Sequence, residues 1–207
     1  MSWTEEAYQR VLPIIERTHS HPMILALAHG TLNLAIFRIY LEQDRIYLRN
    51  YAEEMQILKE MLPEGRLKEL FGIFANDSLQ AEMELNTSMG IEEKPAMNIT
   101  ESYMSHTRKC IESGKLSVAM ASLLPCMWIY NETGRYIASI EKSEDNPYHE
   151  WISLYSSPMM DEGAELCKRL CDSLAESAAD DEKEEMFEVF EKSVEMEYLF
   201  WDQAYKG

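Results

Sequence analysis

Apolar residues in this chain recur at helical rather than strand spacing. Between Thr31 and Leu62 they fall at Ile36, Tyr40, Tyr47, Tyr51, Met55, Leu58 and Leu62, in steps that keep one helical face apolar. Alternating apolar and polar stretches bounded by turn signals are nearly absent, and only eight glycines and seven prolines punctuate the sequence, so no sheet can be placed. The pattern predicts an all-α fold. Its helices run from Ser2 or Thr4 to about His19, from Pro22 to Ala28, and from Thr31 to Leu62 with room for one break. Others follow at about 66–88, 98–113, 115–141, 147–156, 159–177 and 180–205, with Gly30, Pro63, Gly65, Gly90, Pro95, Gly114 and Pro147 at the joints. The segment SVAMASLLPCMWIY, 117–130, is apolar on all sides, which makes it the central helix of a bundle. Pro13 is a candidate kink in the first helix. Pro125 is another: it removes the bond to the Ala121 carbonyl, a loss of ~3 kcal/mol, directly before Cys126.

Composition narrows the partners. The 207 residues are 46% apolar and 10% aromatic, enough for a large core, and one domain spanning 1–207 is expected. The net charge of −18 and the lack of any basic tract make nucleic acid and anionic membrane surfaces poor partners. The longest apolar run, 118–130, is broken by Ser122 and Pro125 and is shorter than the ~20 residues of a membrane span. The opening MSWTEEAYQR has neither a positive n-region nor an apolar core, so a cytoplasmic location is expected, with Cys110, Cys126, Cys167 and Cys171 as free thiols. The acidic run Asp180, Asp181, Glu182, Glu184 and Glu185 suits the first turns of a helix and a solvated face.

Polar groups on apolar faces carry the chemical signal. Asp44 lies on the line Tyr40, Asp44, Leu48, Tyr51, Met55, where a carboxylate meets the core, and Tyr47 emerges beside it. Glu197 interrupts the stripe Phe190, Val194, Trp201, Tyr205; burial there would raise its pKa and make it a proton donor near neutral pH. A lone acid of this kind is ordinarily half of an internal ion pair, and a lone buried cysteine an inert hydrophobe. Two such acids with Cys126 on a third buried helix weaken that reading. Cys126 and Tyr130 share a face, and tyrosines at helical spacing beside acids suit a pocket that stacks on a flat polar heterocycle. Cys167 and Cys171 lie four apart on an exposed-looking amphipathic helix with no histidine nearby, a weak metal signal, and Cys110 is uninformative.

The segments YLEQDRIYL (40–48), SYMSH (102–106), LLPCMWIY (123–130), NPYHEWISLYSS (146–157) and EYLFWDQAY (197–205) together resemble the TenA family of thiaminase II type aminopyrimidine hydrolases. The similarity runs from HPMILALAHGTL, beginning at His21, to the C-terminus. It implies a haem-oxygenase-like helical bundle, a homotetramer, no haem, no metal or other cofactor, and a role in salvaging the pyrimidine half of thiamine. Position by position, Cys126 matches the family's nucleophile, Glu197 its proton donor, Asp44 the carboxylate that holds the aminopyrimidine, and Tyr47 the phenol beside the thiol. Tyr103, Tyr130 and Tyr155 match pocket tyrosines and Phe200 a pocket aromatic. Cys126 places the chain in the cysteine-bearing branch. His29, Arg45 and Ile46 depart from the family pattern, at positions expected to act on the pocket rim or a subunit contact.

The implied reaction converts 4-amino-5-aminomethyl-2-methylpyrimidine to the 5-hydroxymethyl compound and ammonia, with thiamine cleavage as a slower related activity. A thiolate adding to the electron-poor ring can expel a group from the attached methylene, and a neutral acid can stabilise the charge that develops. Two other readings stand beside it. A metal-dependent oxidase on a similar bundle would need Glu-x-x-His pairs, of which only Glu16/His19 is present. A non-catalytic pyrimidine-binding protein would have no use for Cys126 and Glu197 together.

Overall fold

The computed structural model describes residues 1–88, 94–141 and 145–207. Among them are nine helices: α1 Trp3–His19, α2 Pro22–Ala28, α3 Leu34–Met61, α4 Arg66–Ser88, α5 Asn98–Glu112, α6 Leu116–Ile140, α7 His149–Tyr155, α8 Pro158–Ser177 and α9 Asp180–Lys206. No strand occurs among the described residues, so the all-α expectation holds. No described helix is long and apolar enough to cross a membrane. Gly90, expected at a joint, lies outside the described residues.

Local chemistry sets the helix ends. Ser2 and Glu5 form a reciprocal capping box at α1. His21 caps α2 by accepting from Met23 N through Nδ1 at 3.1 Å, and Asn33 caps α3 in the same way at 2.9 Å. The Asn33 cap starts α3 three residues later than Thr31, and the helix then continues unbroken to Met61. Pro13 stands inside α1, which likewise continues past it. Asp180, Asp181 and Glu182 occupy the first turn of α9 as the helix dipole favours. Further along, Glu184 and Glu185 are not merely solvated: they pair with Arg10 and Lys115.

Helix α6 is the axis of the bundle, packed against α1, α2, α3, α5, α7, α8 and α9. Every residue from Ser117 to Asn131 is buried. Pro125 sits inside the helix, and two carbonyls of the turn before it accept hydroxyls from other helices. Ser193 on α9 donates to Ser122 O at 2.7 Å, and Tyr51 on α3 donates to Leu123 O at 3.2 Å. Those contacts hold the Cys126 segment between α3 and α9. Two expectations are corrected. The helix carrying Cys167 and Cys171 turns both thiols into the core, at 2% and 0% exposure, because α8 packs on α6, α4 and α1. Tyr205, placed on the buried stripe of α9, is 38% exposed because the buried face of the helix runs from Glu197, Phe200 and Trp201 to Ala204, which is 0% exposed, and leaves Tyr205 at its edge.

Helix α7 is fastened at both ends. At its start Asn146 Nδ2 donates to the carbonyls of Leu27 and Ala28 at 3.0 and 3.2 Å, and Tyr148 donates to Leu32 O. At its end Asn131 Nδ2 on α6 donates to Tyr155 O at 3.0 Å. Gly134, one turn further along α6, permits this approach: a Cβ there would stand 2.7 Å from the Tyr155 Cβ and 2.8 Å from its carbonyl carbon and oxygen. Gly134→Ala is therefore expected to destabilise the fold by about 1–3 kcal/mol despite alanine's better helix propensity, because the obstacle is backbone. Gly72→Ala is the control. Its Cβ would meet only the end of the Lys59 side chain, so a gain of about 0.5–1 kcal/mol is expected. Urea denaturation of the two variants checks both signs.

Candidate active site

Five helices converge on one small cavity beside Cys126, with space of about 10 Å³ for the centre of a water molecule. Its walls are Asp44, Tyr47 and Leu48 from α3, Tyr103 from α5, Cys126 and Tyr130 from α6, Tyr155 from α7, and Glu197 and Phe200 from α9. All eight residues singled out in the sequence are among the nine. Leu48, the ninth, was visible on the buried face of α3 but carried no chemical signal. Among the described residues three surface clefts are larger, one between α4 and α8, one between α1, α6 and α8, and one along α5, yet all are open and none is lined by a cysteine. His29 is exposed, Arg45 and Ile46 are half-buried, and none of the three lines the cavity.

Helical spacing explains how the polar groups arrive. Asp44, Tyr47 and Leu48 lie three and four apart and so share the inner face of α3; Cys126 and Tyr130 do the same on α6, and Glu197 and Phe200 on α9. Asp44 and Glu197 are 4% and 3% exposed, and Cys126 is 7% exposed.

Tyr103 donates to Glu197 Oε1 at 2.6 Å, and its ring stacks on Tyr47 with centroids 4.6 Å apart. The Tyr47 hydroxyl is buried and makes no hydrogen bond of ordinary geometry among the described residues. It is still near enough to the Tyr103 oxygen to ease that phenol's ionisation slightly. On the other side Tyr130 stacks on Trp201 at 5.2 Å and tilts against Tyr155 at 5.5 Å. Trp151 backs Tyr155 at 4.4 Å and donates through Nε1 to the Tyr40 hydroxyl at 3.3 Å.

Enclosure sets the protonation states. Burial lifts the Glu197 carboxyl to about 8, with the nearby Asp44 charge adding to the rise and the Tyr103 hydrogen bond opposing it. At neutral pH Glu197 therefore holds its proton. Burial also drives the phenols of Tyr47, Tyr103 and Tyr130 well above their usual range, with neighbouring acidic groups adding: Cys126 and Glu197 act on both Tyr47 and Tyr103. All three stay as O–H groups, able to donate but not to ionise. A further buried acid, Glu54, was not picked out in the sequence. It sits two turns beyond Tyr47, is raised to about 7 by burial, and accepts from Thr107 Oγ1 at 3.0 Å without lining the cavity.

The described residues bring together no group of three His, Cys, Asp or Glu side chains that could hold a metal ion. Glu16 and His19, the one Glu-x-x-His pair, lie on α1, which contributes nothing to the cavity, and the His19 ring is stacked on Tyr136 at 3.9 Å.

The chain is 29% identical to the aminopyrimidine aminohydrolase of Halalkalibacterium halodurans over 99% of its own length and 96% of that protein's. It is 28% identical to that of Bacillus subtilis, over 100% and 91% of the two chains. Among solved structures, a TenA homologue from Pyrococcus furiosus superposes with a TM-score of 0.89 at 23% identity, covering 98% of this chain and 99% of that one. A TenA homologue from P. horikoshii gives 0.86 at 22% identity, covering 100% and 99%. Both share the helical bundle. Residues 8–207 match the TENA/THI-4/PQQC family, a span that contains every helix lining the cavity, and the chain belongs to that family.

Proposed function

We propose that this protein is a hydrolase that exchanges the amino group on the methylene of 4-amino-5-aminomethyl-2-methylpyrimidine for hydroxyl, releasing ammonia. The observation that carries this reading is the meeting of a thiol, a protonated buried acid and a second carboxylate inside one aromatic cavity. Relatives at 28–29% identity over nearly the full chain are aminopyrimidine aminohydrolases, which supports it. Thiamine, with a thiazolium leaving group on the same methylene, is a slower substrate. The protein acts on these small molecules as a cytoplasmic homotetramer of single-domain subunits, without nucleic acid, membrane, metal or cofactor.

Asp44 accepts from the exocyclic amino group, and the tyrosines and Phe200 sandwich the flat ring. The Cys126 thiolate adds to the ring while Glu197 gives its proton to a ring nitrogen. The electron pair returns through the ring, the C–N bond of the methylene breaks, and the amine, bound as its ammonium, leaves as ammonia. Water adds to the exposed methylene and gives up one proton to solvent. The sulfur then leaves as thiolate, the ring regains aromaticity, and the ring proton returns to Glu197. Tyr47, with an uncommitted O–H, donates to sulfur and favours the thiolate.

Cys126→Ala is expected to lower turnover by on the order of 10³-fold or more while leaving helical content unchanged, since one sulfur contributes little to folding. Light scattering should give both proteins about four times the chain mass of 24.1 kDa. A variant with near-normal ammonia release sinks the covalent route. The pH dependence follows from Glu197. Its carboxyl is raised, and the working form is the protonated one, so kcat/KM is present below about 8 and declines as pH rises through that value. Glu197→Gln should lower kcat much more than it raises KM and abolish that limb, whereas Asp44→Asn should act mainly on KM. A limb that persists in Glu197→Gln would assign it to another group such as Glu54. Prolonged chelation should leave the rate unchanged; loss of activity restored by iron would replace the hydrolase with an oxidase.

A further inference from the structure

Two other helices hold the start of α5. Its N-cap, Met97, offers no side-chain hydrogen bond, and the first amides of a helix have no partner within it. Gln43 on α3 accepts through Oε1 from Met97 N at 2.7 Å and from Thr100 Oγ1 at 2.8 Å, and donates through Nε2 to Pro95 O at 3.1 Å. Gln203 on α9 accepts from Ile99 N at 3.1 Å and donates to Thr100 Oγ1 at 2.9 Å. The Thr100 hydroxyl, fully buried, thus gives to one glutamine and receives from the other.

Each member of this collar is tied by sequence to a wall of the cavity without lining it. Gln43 precedes Asp44, Thr100 stands one turn before Tyr103, and Gln203 stands one turn after Phe200. Helix α5 supplies only Tyr103 to the cavity, and Tyr103 supplies the hydroxyl bonded to Glu197. A slip of α5 by one residue would move that hydroxyl by ~1.5 Å, far more than a hydrogen bond tolerates.

We infer that Gln43, Thr100 and Gln203 are positioning residues that set the axial register of α5, so that the Tyr103 hydroxyl meets the Glu197 carboxyl. The rate they govern rests on the hydrolase reading; the geometry does not. Thr100→Val keeps the shape of the side chain but removes its donor and acceptor, and Thr100→Ser keeps both. In Thr100→Val kcat should drop about 10- to 100-fold, well beyond any rise in KM from the displaced Tyr103 ring, and Thr100→Ser should recover it. A second signature needs no turnover. Well below pH 8, where Glu197 is protonated, its carboxylic C=O stretch is identified by infrared difference against Glu197→Gln. Losing the Tyr103 bond moves that stretch to higher frequency in Thr100→Val, and Thr100→Ser returns it. An unmoved stretch overturns the inference, as does a moved stretch with unchanged kcat in an active enzyme. If the wild-type protein acts on no aminopyrimidine while the stretch moves and returns, the hydrolase reading fails and the register role stands. Should Thr100→Val not fold, Gln203→Met removes the α9 half of the collar, the bonds to Ile99 N and Thr100 Oγ1, from a half-buried position and is judged by the same two measures.

Discussion

Helix α6 has no solvent-facing side along its apolar core segment, and in its middle Pro125 removes a backbone donor from the helical ladder. A defect of this kind is costly where water cannot reach it. Here the hydroxyls of Ser193 and Tyr51 reach the carbonyls of Ser122 and Leu123, next to the Ala121 carbonyl that Pro125 leaves without its helical donor, so that turn is bonded to α9 and α3. Ser193 is itself 3.1 Å from His106 Nε2 on α5. One interrupted turn therefore ties α3, α5 and α9 to α6 at the level where Cys126 emerges. These are the helices that bring Asp44, Tyr103 and Glu197, and the placement of the thiol against the two acids depends on those few bonds.

Two carboxyl groups in one buried cavity cannot both ionise without penalty, because each loses hydration and each repels the other. Glu197 takes the neutral form, raised by burial first and by the Asp44 charge after it. Sharing a proton between two unequal acids is a general route to having a donor and an acceptor side by side at neutral pH. The tyrosines complete the arrangement. Burial keeps them from ionising, so they add O–H donors and flat apolar faces without adding a third negative charge.

No single helix owns the cavity, and its accuracy is that of the contacts between helices. The end of α7 is held against α6 by Asn131 and by the missing Cβ of Gly134, which sets Tyr155. The start of α5 is clasped by Gln43 and Gln203, which set Tyr103. In both places a neutral amide outside the cavity fixes the backbone that carries an aromatic residue inside it. Neutral amides suit this task, since each can donate and accept at once and brings no charge toward the acids.

The all-α class, the central helix and the joints were legible in the sequence because hydrophobic period and turn residues are local properties. So were the odd groups of the cavity: Asp44 and Glu197 stood out as acids on apolar stripes, and Cys126 as a thiol on a helix buried all round. Their roles came from resemblance rather than period. Tertiary structure decided what no single helix encodes. The apolar surroundings that turn Cys167 and Cys171 inward belong to α6, α4 and α1, so the stretch CKRLC read as more exposed than it is. Gln43, Thr100 and Gln203 look like ordinary polar residues until α3, α5 and α9 are brought together. The sequence by itself determined which residues are unusual on their own helices, since each helix writes its period into its own residues. Only the packed bundle decided which of them meet and which carboxyl keeps its proton, because distance and desolvation between helices are properties of the assembled chain.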